Sequence, residues 1–297
     1  YIPFLTVPDN TVKRKSGFLF PQMSMTNKLG FGIGVPYFQV LSDTSDLTVT
    51  PTYYTKQGLL LQAELRQRFE TGMHTLTIAG ISQQSSDTFI AGTSDALNDQ
   101  RGMVASKGDF SINPRWAFGW DAMVQSDNNF SRTYSLKGYK NDVQTNQIYL
   151  TGTGERNSFD ARGYYFNVQD TDNSELKERK QAIVHPVVDY RYFLPDPIYG
   201  GELSLTTNFT SISRSTQDSY AMGGFPRFNG LEGSYTRWTT EAEWKRTITM
   251  DSGLQITPIL AARGDALWTD MTAASFTSGG TSYAYEGMIH DLSLIHI

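Results

Sequence analysis

Leu59-Leu60-Leu61-Gln62-Ala63-Glu64-Leu65-Arg66-Gln67-Arg68-Phe69 decides the fold class. Its odd positions read Leu59, Leu61, Ala63, Leu65, Gln67 and Phe69, and its even positions from 62 read Gln62, Glu64, Arg66 and Arg68. Successive side chains of a strand point to opposite faces, so one face is apolar and the other charged. The stretch before it does the same: Leu47, Val49, Pro51 and Tyr53 alternate with Asp46, Thr48, Thr50 and Thr52. Gly58 closes a short turn between the two runs, and Thr71-Gly72 closes the next, before 73–81. Alternating runs joined by tight glycine turns are hairpins.

The pattern recurs outward from there. Phe110, Ile112, Pro114, Trp116, Phe118, Trp120, Ala122 and Val124 read as one apolar face. Leu203, Leu205 and Phe209 form another, as do Trp238, Ala242, Trp244 and Ile248. Asp251-Ser252-Gly253 then turns the chain into 254–262. About ten such strands are expected, several longer than the ~5–6 residues usual in soluble sheets. A tilted strand crossing a bilayer needs ~9–11 residues. Long polar connections at 82–100, 125–146, 170–180 and 213–233 alternate with short turns, the layout of an outer-membrane barrel. Tyr37, Tyr53, Tyr54, Tyr164, Tyr165, Tyr190, Tyr192 and Trp238 suit interfacial aromatic girdles. A soluble sandwich is the alternative, with Glu64, Arg66, Arg68, Glu241, Glu243 and Lys245 on its wet outside rather than in a polar lumen.

Composition narrows the classes. The 297 residues include 16 Tyr and 17 Phe but no Cys, so neither a disulfide framework nor a thiolate metal site belongs to this stretch. No apolar run approaches the ~20 residues of a membrane helix. A net charge of -5 without a basic block argues against nucleic acid as partner. The chain does not begin with Met and is expected to be a piece of a longer one. Leu292-Ser293-Leu294-Ile295-His296-Ile297 reads as the in-frame translation of a transposon-end sequencing adapter. Residues 292–297 are therefore expected to be foreign, with an ordinary apolar strand end as the alternative.

No catalytic or cofactor constellation stands out. Gly30-Phe31-Gly32-Ile33-Gly34 lacks the strand, G-x-G-x-x-G and helix order of a dinucleotide site. It reads as a strand with one bare face, Gly30, Gly32 and Gly34, where a backbone or ligand comes close. His74, His185, His290 and His296 have no metal-ligand spacing. No G-x-S-x-G elbow is present and no enzyme is expected, the alternative being a barrel hydrolase acting on lipid whose Ser, His and acid groups meet only in the fold. Lys13-Arg14-Lys15 is a solvated loop or a contact to anionic headgroups. Pro36 and Pro51 fall inside the first two strong strand patterns, fifteen residues apart. Proline removes a ladder donor, so they are either harmless edge or bulge residues or a seam built to open.

Residues 3–69 resemble the LptD family, the outer-membrane lipopolysaccharide-assembly proteins. The resemblance rests on PFLTVPD, KRKSGFLFPQ and GFGIGVPYFQVLSDTSDLTVTPTYYTKQGLLLQAELRQRF. Lys13, Arg14, Ser16, Gly17, Phe18, Leu19, Pro21, Pro36, Tyr37, Asp46, Thr48, Thr50, Pro51, Gly58, Glu64 and Arg66 carry it in order. The resemblance implies an all-β protein: a partial antiparallel transmembrane β-barrel, preceded by the last strand of a periplasmic β-jellyroll. Residues 1–28 would end the jellyroll and its linker, and 29–291 would form the N-terminal part of the barrel. It further implies lipopolysaccharide as cargo, passed sideways between the first and last barrel strands, with Pro36 and Pro51 weakening that lateral gate. A lipoprotein plug similar to LptE, a periplasmic bridge similar to LptA and outer-membrane lipids are the implied partners. The implied location is the cell outer membrane, and no cofactor is implied. A porin-like or receptor barrel passing small solutes is the competing function.

Overall fold

A computed structural model describes residues 14–170, 174–272, 274–285 and 290–296. The strands in chain order are β1 Gly17–Phe18, β2 Gln22–Thr26, β3 Gly30–Gly34, β4 Tyr37–Ser42, β5 Ser45–Tyr54, β6 Gly58–Phe69, β7 Gly72–Ser82, β8 Gln100–Asn113, β9 Trp116–Gln125, β10 Val143–Thr153 and β11 Asn157–Val168. They continue as β12 Ile183–Phe193, β13 Glu202–Arg214, β14 Asp218–Met222, β15 Phe225–Gly230, β16 Gly233–Lys245, β17 Ile248–Thr249, β18 Gln255–Ile256, β19 Ile259–Met271, β20 Ser275–Ser278, β21 Thr281–Ala284 and β22 His290–His296. Short helices α1 Ser94–Leu97, α2 Phe130–Thr133 and α3 Ser174–Arg179 lie in three of the long connections. The fold is all-β, and the strand pairs are antiparallel. Among the described residues, no helix is long and apolar enough to cross a membrane. Eleven strands have 10–14 residues, enough for a tilted crossing.

Two compact units make up the chain. The first holds the described residues up to 110, with 121–144 and 169–170. In it β5, β6, β7 and the start of β8 form a meander without register slips, from Tyr54↔Gly58 through Phe69↔Gly72 to Ser82↔Gln100. Along these strands the outward face is apolar and open, unlike that of a water-soluble sheet. Leu59, Leu61 and Tyr53 are 49%, 51% and 51% exposed. The face carrying Thr77, Arg101 and Asp46 is buried. A sandwich would bury its apolar faces against each other. Apolar residues on the open side are what lipid demands of a barrel strand.

The buried face is covered by the chain's own loops. Phe89 from 83–99, and Phe130, Tyr134 and Leu136 from 126–142, cluster with Leu60, Ala79, Ile81, Met103, Ala105 and Met123. Polar groups lock this cover in place. Arg101 Nε and Nη2 donate to Asp127 Oδ2 and Oδ1 at 2.8 and 2.7 Å, and Nη2 pairs with Asp95 at 2.6 Å. Asp95 also accepts from Asn129 Nδ2 (2.9 Å) and Thr133 Oγ1 (2.7 Å). The Arg101 guanidinium lies 5.7 Å from the ring centres of both Phe130 and Tyr134. Burial pushes the Tyr134 hydroxyl up from its ordinary pKa, so it stays a neutral donor to Gln83 Oε1 at 2.9 Å.

In the second unit the same segregation runs through β13, β16 and β19. Leu203↔Trp244↔Leu260 and Phe209↔Trp238↔Ala266 share one face. Lys245–Glu202 (3.0 Å) and the Arg237–Asp265–Arg263 cluster occupy the other. The backbone of β22 pairs with β19 from Gly264↔His296 to Asp270↔His290, so pairing includes 292–296.

Three sequence expectations are corrected. The apolar run from Phe110 to Val124 is not one strand: β8 ends at Asn113 and β9 starts at Trp116. Pro114 cannot extend a ladder, and Asn113 Oδ1 accepts from the N–H groups of Arg115 (2.9 Å) and Trp116 (3.0 Å), closing a side-chain-capped turn. Ile248 and Leu254 lie outside β16 and β19, because the intervening turn carries its own two-residue hairpin, β17 with β18. Tyr54 is not an interfacial residue. Its even position turns it to the inner face, where it is 6% exposed beside Tyr134.

Candidate lateral seam

β3 and β4 together form one interrupted strand on β5. Gly34↔Thr52 precedes the break and Tyr37↔Val49 follows it in the same register. That register sets Val35 opposite Pro51 and Pro36 opposite Thr50, so the two prolines stand one step apart across the ladder. Val35 N donates to Pro51 O at 3.2 Å. An antiparallel pair of this type normally exchanges two bonds, and Pro51 has no N–H to return. Leu19 N likewise donates to Pro36 O at 2.8 Å, and Pro36 returns nothing. Each proline therefore halves a hydrogen-bonded pair, in adjacent ladders. A backbone bond contributes about 0.5–1.5 kcal/mol net in water. An unpaired carbonyl facing hydrocarbon costs several kcal/mol.

The glycine face of β3 is filled by neighbouring side chains. A Cβ on Gly32 would stand 2.6 Å from Ser24 Oγ and 2.6 Å from the Tyr54 ring, and one on Gly34 would stand 2.6 Å from Thr52 Oγ1. Gly30 has φ +77° and faces Thr55 and Lys56. The outward residues of this strand, Phe31 and Ile33, are exposed. Gly32→Ala is expected to displace the Tyr54 ring and cost about 1–3 kcal/mol as overpacking. A lowered thermal transition of the folded protein in detergent is the check; an unchanged transition refutes the close fit.

On the inner side of β5 lies a cavity of about 430 Å³. Leu19, Leu29 and Phe38 supply its apolar wall, and Thr48, Thr50 and Thr52 its floor, with Arg66 and Lys137 also in its lining. Asp46 ties the incoming chain to the sheet. It pairs with Arg14 and, at 2.8 Å, with Arg66 Nε. Arg14 also donates to the Ser42 and Asp43 carbonyls at 3.2 and 2.9 Å. Arg14 of the basic cluster is thus committed to protein partners; Lys13 lies outside the described residues. His74 meets Ser106 at 3.0 Å and His185 meets Ser213 at 2.8 Å. The side chains of His290 and His296 lie outside the described residues.

Sequence reasoning brought Pro36, Pro51 and the three glycines forward, and they share one region of the sheet. It missed the loop cover over the inner face. Its signal was available: Phe89, Phe130, Tyr134, Leu136 and Tyr139 are apolar or aromatic residues inside otherwise polar connections.

Comparison with known proteins fits this construction. Residues 99–288 match the family described as LPS transport system D, and residues 1–78 match a second one described as LptD protein. The LPS-assembly protein LptD of Shewanella oneidensis is 28% identical over 222 residues, covering 73% of this chain and 27% of that protein. That of Shewanella frigidimarina is 30% identical over 193 residues, covering 65% and 24%. That of Sodalis glossinidius is 26% identical over 255 residues, covering 83% and 31%. The chain spans roughly a quarter to a third of the length of these relatives. With its strands turned outward to lipid and its match running from 99 to 288, the chain belongs to the LPS transport system D family, and its place is the outer membrane.

Proposed function

We propose that this chain is the seam-bearing part of a lipopolysaccharide translocon. Residues 29–291 form the first part of its barrel, and the stretch before them leads in from a periplasmic jellyroll. The observation that carries the reading is the juxtaposition of Pro36 and Pro51, each removing the returning bond of its pair. A strand poor in donors parts from its neighbour at low cost, and parting opens a path from the inner side to hydrocarbon. On the inner side, the hydroxyl row of Thr48, Thr50 and Thr52 with Arg66 suits a sugar chain. The outward surface suits acyl tails. The work is transport rather than catalysis. A lipoprotein plug similar to LptE and a periplasmic bridge similar to LptA complete the machine in this reading.

Depletion of the full-length protein in its host, with newly made lipopolysaccharide followed to the cell surface, is the test. Stranding of lipopolysaccharide inside the cell is the expected result. Normal surface delivery with altered uptake of small solutes would replace the translocon with a porin-like channel.

A further inference from the structure

β3 carries little anchorage of its own. Its inner face is Gly30, Gly32 and Gly34, and it meets β5 only through residues 32–34. A strand face without side chains contributes no packing. What holds its start is the turn at 55–57 and the loop beyond it. Thr55 N donates to Phe31 O at 2.9 Å, Phe31 N to Thr55 Oγ1 at 3.0 Å, and Lys56 N to Leu29 O at 3.2 Å. Lys56 Nζ donates to Asn27 O at 2.7 Å. Leu29 is buried in the same cluster as Phe89 of 83–99.

Gln57 binds these pieces together, and it is fully buried. Its Nε2 stands 3.0 Å from Lys28 O, 2.9 Å from Ser85 O and 2.8 Å from Thr88 Oγ1, so two hydrogens are shared among three acceptors. Its Oε1 accepts from Ser85 N at 3.3 Å. Thr88 Oγ1 lies 3.0 Å from Lys28 O and 2.9 Å from Ser85 O, and its one hydrogen goes to one of them. One amide and one hydroxyl thus tie residue 28 to residues 85–88, across a sequence separation of 60 at Thr88. A carboxylate at position 57 would turn oxygen towards carbonyl oxygen, and an aliphatic side chain would leave buried carbonyls unpaired.

We propose that residues 85–88 are a strap that fixes the start of β3, and that Gln57 and Thr88 are positioning residues for the delivery of cargo. The role in delivery rests on the translocon reading above, in which residues 28 and 29 are the step from the incoming stretch to the barrel wall. The strap keeps that step still as cargo passes, a task for which the glycine face has no side chains.

Backbone hydrogen exchange of the full-length protein in detergent tests the strap. Thr88→Val keeps the shape and removes the hydroxyl, and Gln57→Glu keeps the shape and removes the donor. Each is expected to speed exchange in 27–31 and 85–89 together, by about tenfold, and to leave 62–68 of β6 unchanged. Thr88→Ser keeps the hydroxyl and is expected to exchange as the wild type does. Faster exchange in 85–89 alone, or in neither segment, would overturn the strap. Should Gln57→Glu fail to fold, the two Thr88 variants carry the test. In the host, Thr88→Val is expected to slow surface delivery of new lipopolysaccharide several-fold at a wild-type level of folded protein, and Thr88→Ser to leave it intact. Wild-type delivery in Thr88→Val, with 27–31 loosened, would overturn the positioning role. Depletion that leaves delivery intact would remove the translocon reading and the delivery role with it, and exchange then decides the strap alone.

Discussion

Arg101→Met is expected to destabilise the first unit by about 3–5 kcal/mol, the cost of leaving a buried ionic network without one partner. The Arg101 side chain is fully buried, and Asp95 and Asp127 beside it are nearly so. Methionine fills most of the volume but strands two carboxylates in a dry interior, against the rings of Phe130 and Tyr134. The loss reaches further than the pair. Asp95 holds Asn129 and Thr133, Asp127 holds the Asn129 N–H, and these groups set the start of α2. Releasing them frees 83–99 and 126–142 from the inner face. Arg101→Lys is expected to recover little, because an ammonium cannot fork to both carboxylates. Arg101→Met with Asp95→Asn and Asp127→Asn is expected to recover more than half, since no charge is then left buried. Urea titration of the refolded protein in detergent, with limited proteolysis of the two loops, gives the answer. Wild-type stability and loop protection in the single variant would show that the network does not hold the cover.

Pro36→Val with Pro51→Val is expected to tighten the seam by about 1–3 kcal/mol, two restored bonds at about 0.5–1.5 kcal/mol each. Both acceptors are already in place, because Leu19 and Val35 lie in the paired positions whose return bond is missing. If export proceeds through the parted seam, the open fraction falls about tenfold for each 1.4 kcal/mol, and delivery slows by a similar factor. Folding is expected to be unharmed, since valine favours strands. Surface labelling of newly made lipopolysaccharide measures the rate. Unimpaired export in the double variant would remove Pro36 and Pro51 from the gate.

Strand faces were legible because period two survives every local detail. Leu59, Leu61 and Leu65 against Glu64, Arg66 and Arg68 fixed the two sides of β6 before any pairing was known. Alternation alone did not say which side met lipid, because a sandwich shares it; strand length and the order of short turns and long loops favoured the barrel, and the exposure of Leu59 and Leu61 agrees. The loop cover escaped since its contacts join residues as distant as Gln83 and Tyr134, with no periodicity to betray them. The fifteen-residue interval from Pro36 to Pro51 was visible, but only the register of β3 and β4 on β5 sets the two one step apart across a ladder.

The clamp at Asp46 has a mechanical consequence. Tension on the polypeptide upstream of Arg14 is loaded onto Asp46, at the opposite end of β5 from Tyr54. From there it passes along β5 and β6 as shear, and ten consecutive residue pairs must fail together for that joint to slip. The interrupted strand meets β5 with the return bond at Pro51 missing, so a ladder that shares load over ten pairs adjoins one that carries it with a bond fewer.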